Sequence, residues 1–386
     1  MNIKRILKIK LPSRQSSFLW GARKTGKTTY LKQRFPDSIF YNFLETDLFF
    51  AFLKEPSLLR QRLLAKSKES FRFPVILDEV QKVPNIMDEV HWLIENKGLS
   101  FILCGSSARK LKCGRANLLG GRAWRLEMFP LVSAELGKVN LLKALNQGLI
   151  PAHYLQDAVS CEKSLKAYVE DYLKEEIFAE GLSRNIPAFS RFLDAVGYSH
   201  GELINYANIS RDCGVDSKTI KEYFQILSDT LLGSLLEPFK KRQHRQVINK
   251  APKFYLFDVG VAGIVTKRRI SEEKGELFGK AFEHFIFMEI KAYRSYSGKN
   301  FSINFWRTKS GMEVDFVLGE GEVAIEVKGV KRVDPSDLRG LHAFMENNLS
   351  KHSMIVCQEK EERIFGKIRI VPWQDFLSSL WNGDIM

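Results

Sequence analysis

A multidomain α/β fold, with buried parallel strands at its head, a winged-helix middle and an α/β sheet at its tail, is what three observations predict. A glycine-rich loop follows the apolar run Phe18-Leu19-Trp20, a helix-turn-helix pattern surrounds Gly214, and two alternating strands follow Gly311. At 386 residues the chain exceeds what a single core usually serves, so two or three domains are expected, with boundaries near 1–150, 151–270 and 271–386.

Residues 21 to 28, Gly21-Ala22-Arg23-Lys24-Thr25-Gly26-Lys27-Thr28, match the phosphate-loop template G-x-x-x-x-G-K-[ST] at every fixed position. In such a loop the glycines let backbone N–H groups turn inward around the β- and γ-phosphates of a nucleoside triphosphate. Lys27 adds a point charge, and the Thr28 hydroxyl can ligate Mg²⁺. The stretch from Thr29 to Arg34 is expected to begin a helix whose positive N-terminal end faces the phosphates.

Pro74-Val75-Ile76-Leu77-Asp78-Glu79 reads as a buried parallel strand that ends in two adjacent carboxylates. Behind a phosphate loop this is a Walker B pair. Asp78 is expected to hold Mg²⁺, directly or through water, and Glu79 to orient and deprotonate the attacking water. A third strand, Phe101-Ile102-Leu103-Cys104, runs into Gly105-Ser106-Ser107, where Ser106 or Ser107 could sense the γ-phosphate. Further on, Leu119-Gly120-Gly121-Arg122 leads into a strand from Trp124 to Met128. Arg122, expected at the C-terminal edge of the sheet, is the candidate to stabilise transition-state charge.

The order of these pieces, from Gly21–Thr28 through Asp78-Glu79-Val80-Gln81 and Gly105-Ser106-Ser107 to Gly121-Arg122 before Phe129-Pro130-Leu131, resembles the AAA-type ATPases of bacteria and archaea. In that family the ATPase domain is fused to an uncharacterised C-terminal domain of restriction-endonuclease-like character. The resemblance spans nearly the whole chain. It implies ATP as the nucleotide and a parallel sheet with helices on both faces, in which the strand ending at Ser106 separates the phosphate-loop strand from the Asp78 strand.

Composition sets the broader class. The 45% hydrophobic content indicates a folded chain. No apolar run is long enough to span a membrane, and the basic N-terminus mixes charge into its apolar positions, so a cytoplasmic location is expected. Cys104, Cys113, Cys161, Cys213 and Cys357 are widely spaced, which points to neither disulfides nor a structural zinc site. The net charge of +14 suits a polyanionic partner, DNA above all. Two stretches free of acids concentrate it: Arg109, Lys110, Lys112, Arg115, Arg122 and Arg125, then Lys240, Lys241, Arg242, Arg245 and Lys250.

In the middle segment Ile220, Tyr223, Phe224 and Leu227 fall at helical spacing behind the turn residue Gly214, with Asp216 or Ser217 as N-cap. A helix near Ser217–Ser228, strands at Leu231–Pro238 and Lys253–Phe257, and the basic run between them make a winged helix, with Lys218, Lys221 and Glu222 facing DNA. An amphipathic helix near Leu165–Ala179 is assigned a packing role.

In the C-terminal segment Glu283 sits in a helical stretch from Phe278 to Tyr293, Asp315 in Glu313-Val314-Asp315-Phe316-Val317-Leu318, and Glu326 beside Val327 and Lys328. Alternation puts Glu313 and Asp315 on one face of their strand, opposite Val314, Phe316 and Leu318. A four-residue hairpin loop, Gly319-Glu320-Gly321-Glu322, would pair Leu318 with Val323 and set Asp315 opposite Glu326. Two facing carboxylates call for a cation between them, with Lys328 placed to position or activate a water. The set resembles the PD-(D/E)-x-K nuclease core, which implies a second Mg²⁺ held by Asp315 and Glu326 with Glu283 as the extra acidic ligand many such enzymes carry, and phosphodiester hydrolysis assisted by Lys328.

The expected protein is an Mg-dependent ATPase that couples nucleotide state to a DNA-binding, nuclease-like domain. The alternative is a nucleotide-gated switch with an inactive nuclease fold. A homo-oligomer would let Arg122 or Arg125 act across an interface.

Overall fold

A computed structural model describes residues 3–107, 119–172, 186–240, 251–347 and 350–386. They form two compact units, one of Leu7–Pro130 with Asp229–Leu232 and one of the remaining residues, so the segments expected as middle and C-terminal domains lie in the same unit.

The first unit is built on β1 (Ser16–Trp20), β2 (Phe40–Asn42), β3 (Val75–Asp78), β4 (Phe101–Gly105) and β5 (Ala123–Glu127). They run parallel in the order β2-β3-β4-β1-β5, so β4 separates β1 from β3 as expected. β1, β3 and β4 are buried along their whole length, the condition of parallel strands covered on both faces. Phe18 stacks on Trp20 at 5.1 Å, in a core with Phe52, Leu77, Leu93 and Leu103. The ends of β1, β3 and β4 thereby converge on one edge of the sheet, where a doubly wound fold binds its ligands.

The second unit opens with short helices, including Ala158–Ala167, which runs into a single wide turn at Tyr168–Tyr172. The rest of the helix expected to Ala179 lies outside the described residues. Helix Tyr206–Cys213 is closed by Gly214 (φ 66°), and helix Ser217–Asp229 buries Ile220, Tyr223, Phe224 and Leu227, the stripe read from the sequence. The Asp216 carboxylate accepts from Thr219 N–H at 2.7 Å, which settles the choice of cap. β6 (Gly233–Leu236) and β7 (Lys253–Leu256) then pair antiparallel. Residues 241–250, the expected basic tip, lie outside the described residues, as do Arg109, Lys110, Lys112 and Arg115.

After the long helix Glu276–Ser297 come β8 (Ile303–Arg307), β9 (Glu313–Leu318), β10 (Val323–Val327), β11 (His352–Cys357), β12 (Arg363–Phe365) and β13 (Ile368–Pro372). They form a mixed sheet in the order β12-β13-β11-β10-β9-β8. β9 and β10 pair antiparallel in the expected register, Leu318 with Val323, Val317 with Ala324 and Phe316 with Ile325. The expected alternation fails at one point. Between Asn304↔Val317 and Trp306↔Val314, β9 spends one residue more than β8, which is a β-bulge. Val314 and Val317 therefore share one core cluster, while Phe316 stacks on Phe287 of the long helix at 5.8 Å. Asp315 lies inside the bulge, a local distortion that re-aims side chains and that period-two reasoning does not anticipate.

Candidate functional site

β1 ends at Trp20, the loop 21–28 follows, and helix Lys27–Arg34 starts within the loop's last residues, two positions before the expected Thr29. Gly26 has φ 92°, a conformation that a side chain would strain, and it turns the chain into the helix. Lys27 is buried, its Nζ donating to the carbonyls of Gly21 (2.7 Å) and Ala22 (3.1 Å). The Thr25 hydroxyl donates to Ala22 O at 2.8 Å and ties the loop to itself. Arg23 is half-buried, whereas Lys24 and Thr29 are exposed. Thr28 Oγ1 donates to Asp78 Oδ2 at 2.6 Å, so the loop hydroxyl and the β3 carboxylate meet although fifty positions apart in the chain.

Glu79 follows Asp78 with φ 57°, a left-handed conformation that costs a non-glycine residue on the order of 1 kcal/mol. Its carboxylate is buried and accepts from Gln81 Nε2 at 2.6 Å. The same amide nitrogen donates to Ser106 Oγ at 3.0 Å, so Gln81 links the expected water-activating carboxylate to the serine at the end of β4. Of Ser106 and Ser107, it is Ser106 that the Gln81 amide reaches. Gly105 makes room: a Cβ there would lie 2.3 Å from Gln81 Oε1 and 2.8 Å from Trp20 Cζ3. Sequence reasoning assigned Gln81 no role, and its position two residues after Glu79 was the available signal.

Arg122 is not where the sequence reading put it. β5 runs parallel to β1 with Ala123 beside Ser16 and Glu127 beside Trp20, so Arg122 enters at the N-terminal edge. Five residues at about 3.3 Å each, roughly 16 Å, separate it from the phosphate-loop edge. Its backbone carbonyl accepts from Ser16 N–H, and its guanidinium pairs with Glu95. The Gly-Gly turn precedes a parallel strand and therefore lies at the strand's beginning. Arg125 is exposed in the middle of this edge strand.

In the second unit the structure brings together Glu283, Asp315, Glu326 and Lys328. Asp315 Oδ2 accepts from Val327 N–H at 2.8 Å, and Lys328 Nζ lies 2.7 Å from Glu326 Oε1. Burial, then Glu326 and Glu283, hold the Asp315 carboxyl well above the usual carboxylate range. Burial likewise pushes Glu326 up to about 7, with Lys328 pulling against it. Lys328 is raised in turn by Glu326 and Asp315, which overcome its own burial. Lys253 and Tyr255, which the sequence reading gave no role in the site, and Glu313, placed there only by alternation, join the cluster. Lys253 of β7 lies 3.4 Å from Glu283 Oε1 and also pairs with Glu313, while Tyr255 O–H donates to Glu283.

Among the described residues no three His, Cys, Asp or Glu side chains are drawn around one point that a metal ion could occupy. The expected three-carboxylate site is thus not preformed, and the reason is visible: Lys253 holds Glu283 and Glu313, and Lys328 holds one oxygen of Glu326. The other oxygen, Glu326 Oε2, is buried without a hydrogen-bond partner among the described residues. An unshared lone pair in a cluster of four carboxylates and two lysines fits a cation ligand.

Lys218, Lys221 and Glu222, on helix Ser217–Asp229, are exposed. Lys221 Nζ sits 5.3 Å from the Tyr206 ring centroid. None of the described helices is long and apolar enough to cross a membrane. Cys104, Cys161, Cys213 and Cys357 are buried free thiols.

Comparison with known proteins divides the chain in three. Residues 13–137 match the family described as an AAA domain. Residues 139–272 and 278–376 each match a domain of unknown function, DUF8612 and DUF4143 respectively. The uncharacterized protein Rv2008c of Mycobacterium tuberculosis is 23% identical over 317 residues, covering 79% of this chain and 69% of that protein. The uncharacterized protein MJ1544 of Methanocaldococcus jannaschii is 26% identical over 357 residues, 84% of this chain and 77% of that protein. The head of the chain is therefore similar to a P-loop ATPase domain of AAA type, a kind of domain that binds nucleotide, typically with Mg²⁺.

Proposed function

We propose that this protein binds and hydrolyses Mg-ATP at the loop 21–28 and that nucleotide state governs a DNA-binding, nuclease-like C-terminal part. The observation that carries the first half is the 2.6 Å hydrogen bond from Thr28 to Asp78, which joins the two halves of a nucleotide site across the sheet. Mg²⁺, when bound there, would be held by Thr28 and Asp78 and would neutralise charge on the β- and γ-phosphates. Lys27 and the loop N–H groups from Ala22 to Thr28 would hold the phosphate oxygens. Glu79 would take a proton from the attacking water as the new bond to the γ-phosphorus forms and the bond to the β–γ bridging oxygen breaks, releasing ADP and phosphate. Gln81 would fix the direction of the Glu79 carboxylate. Arg125, exposed on β5, and Arg122, at the far edge, would reach a triphosphate only on a neighbouring copy in a homo-oligomer.

For the second half, the support is the juxtaposition of Asp315, Glu326 and Lys328 and the orphaned Glu326 Oε2. A cation held by Asp315 and Glu326 would polarise a phosphodiester, while Lys328 would orient a water beside it. The exposed Lys218 and Lys221, with the basic run Lys240 to Lys250 that follows in sequence, would contact DNA. The second reading, a nucleotide-gated switch without cleavage, is favoured by the lysines that already hold the cluster's carboxylates.

Two experiments separate these statements. Glu79→Gln should retain ATP unhydrolysed while the wild type turns it over; normal turnover by this variant would overturn the assignment. Metal-dependent nicking of plasmid DNA, lost in Asp315→Ala and Glu326→Ala, is the nuclease result, whereas no cleavage of duplex, single-stranded or RNA substrates selects the switch.

A further inference from the structure

We infer that Lys253 is a resident cation of the carboxylate cluster: its ammonium stands where a second divalent ion would otherwise be required, between Glu283 and Glu313, and leaves Asp315 and Glu326 to take a single divalent ion of the magnesium type. The inference rests on the proposed reading of the cluster as a cation site, and it adds which residue fixes the number of ions and where that residue comes from.

The cluster has two unequal halves. In one, Lys253 is buried, with 4% of its surface exposed, and its Nζ contacts Glu283 Oε1 (3.4 Å) and Glu313 Oε1 together. Tyr255 O–H donates to the same Glu283 oxygen, and Arg307 Nη1 pairs with Glu313 Oε2 at 3.1 Å, so Lys253 and Arg307 bring two positive charges to these two carboxylates. A lysine is seldom buried this far unless it is paired. In the other half Glu326 Oε1 is engaged by Lys328, but Glu326 Oε2 has no partner among the described residues, and Asp315 shares one oxygen with Val327 N–H. Positive charge is therefore complete at Glu283 and Glu313 and incomplete at Asp315 and Glu326. Lys253 also comes from β7, outside the matched segment 278–376. The C-terminal segment by itself would lack this cation, so the middle segment supplies part of the site.

The test counts bound Mn²⁺ by calorimetry and electron paramagnetic resonance on the full chain, without nucleotide and in a Lys27→Ala background that silences the phosphate loop. The parent is expected to bind one Mn²⁺, lost or weakened at least about tenfold by Glu326→Gln. Adding Lys253→Met should admit a second ion. One ion bound with the parent's affinity after Lys253→Met would overturn the inference and leave the cation reading of Asp315 and Glu326 standing. No Mn²⁺ uptake by any form, or uptake indifferent to Glu326→Gln, would overturn both. Should Lys253→Met be unfolded without metal, Mn²⁺ must restore its melting midpoint toward that of the parent; failure to restore it also overturns the inference.

Discussion

Replacing Gln81 with leucine tests the link between Glu79 and Ser106. The substitution keeps side-chain bulk beside Gly105 but removes the nitrogen that donates to Glu79 Oε2 at 2.6 Å and to Ser106 Oγ at 3.0 Å. A hydrogen bond to a charged group contributes about 1.5–3 kcal/mol, and each 1.36 kcal/mol of lost transition-state stabilisation is about tenfold in rate. If that energy serves wholly to direct the Glu79 carboxylate at water, kcat should fall by roughly 10- to 150-fold. Among the described residues Gln81 has no hydrogen bond to Lys27 or Thr28, so nucleotide affinity should stay within about twofold of wild type. Steady-state hydrolysis read against Mg-ATP concentration, with calorimetric affinity measured separately, gives both numbers. An unchanged kcat, or a loss of rate explained wholly by weaker binding, would refute the assignment of Gln81 as a positioning residue.

Gly105→Ala should act on the same link from the other side, since its Cβ would fall 2.3 Å from Gln81 Oε1; a loss of about 1–3 kcal/mol in denaturant unfolding, with kcat lowered as in Gln81→Leu, is expected. Asp216→Ala removes the carboxylate that accepts from Thr219 N–H and should lower the thermal unfolding midpoint, without changing ATP turnover. Acid should destabilise the second unit through a buried imidazole pair. His284 donates from Nε2 to Leu256 O (2.7 Å) and accepts on Nδ1 from His200 Nε2–H (3.1 Å), while His200 Nδ1 accepts from Leu256 N–H (3.4 Å). An added proton would set two N–H groups against each other. Burial lowers His284 to about 3 and His200 well below its ordinary value of 6.5. Because both values are lowered, the stabilisation is fully present above about pH 6.5 and is lost as pH falls toward 3. At pH 5 the loss from His284 is roughly 2 kcal/mol, with His200 acting in the same direction, read from unfolding midpoints against pH. Because the raised Asp315 and Glu326 carboxyls gain stability over the same range, the loss is read as the difference between the parent's profile and that of a His284→Gln variant, and identical slopes in the two would contradict it.

What the sequence disclosed and what it withheld differ in kind. The phosphate loop, the Asp78-Glu79 strand end and the β9–β10 register are local: contiguous residues or a short hairpin fix them, and the structure places them as read. The Arg122 assignment depended on which end of a strand meets which edge, and the parallel pairing of β5 with β1 puts that turn on the far side. The bulge at Asp315 arises from the ladder with β8, a strand that the sequence reading did not identify, so alternation within β9 could not reveal it. Gln81 and Lys253 earned no role from the sequence because their partners are distant: Ser106 for the first, Glu283 and Glu313 for the second. Each was an ordinary polar residue until packing brought the other chain segment to it.

Calorimetric titration of the full chain with ATP in the presence of Mg²⁺ tests the central claim most directly. Saturable uptake of one nucleotide per chain, abolished in Lys27→Ala, is the predicted result. A folded wild-type protein that takes up neither ATP nor GTP, or a Lys27→Ala variant that binds as the wild type does, would contradict it.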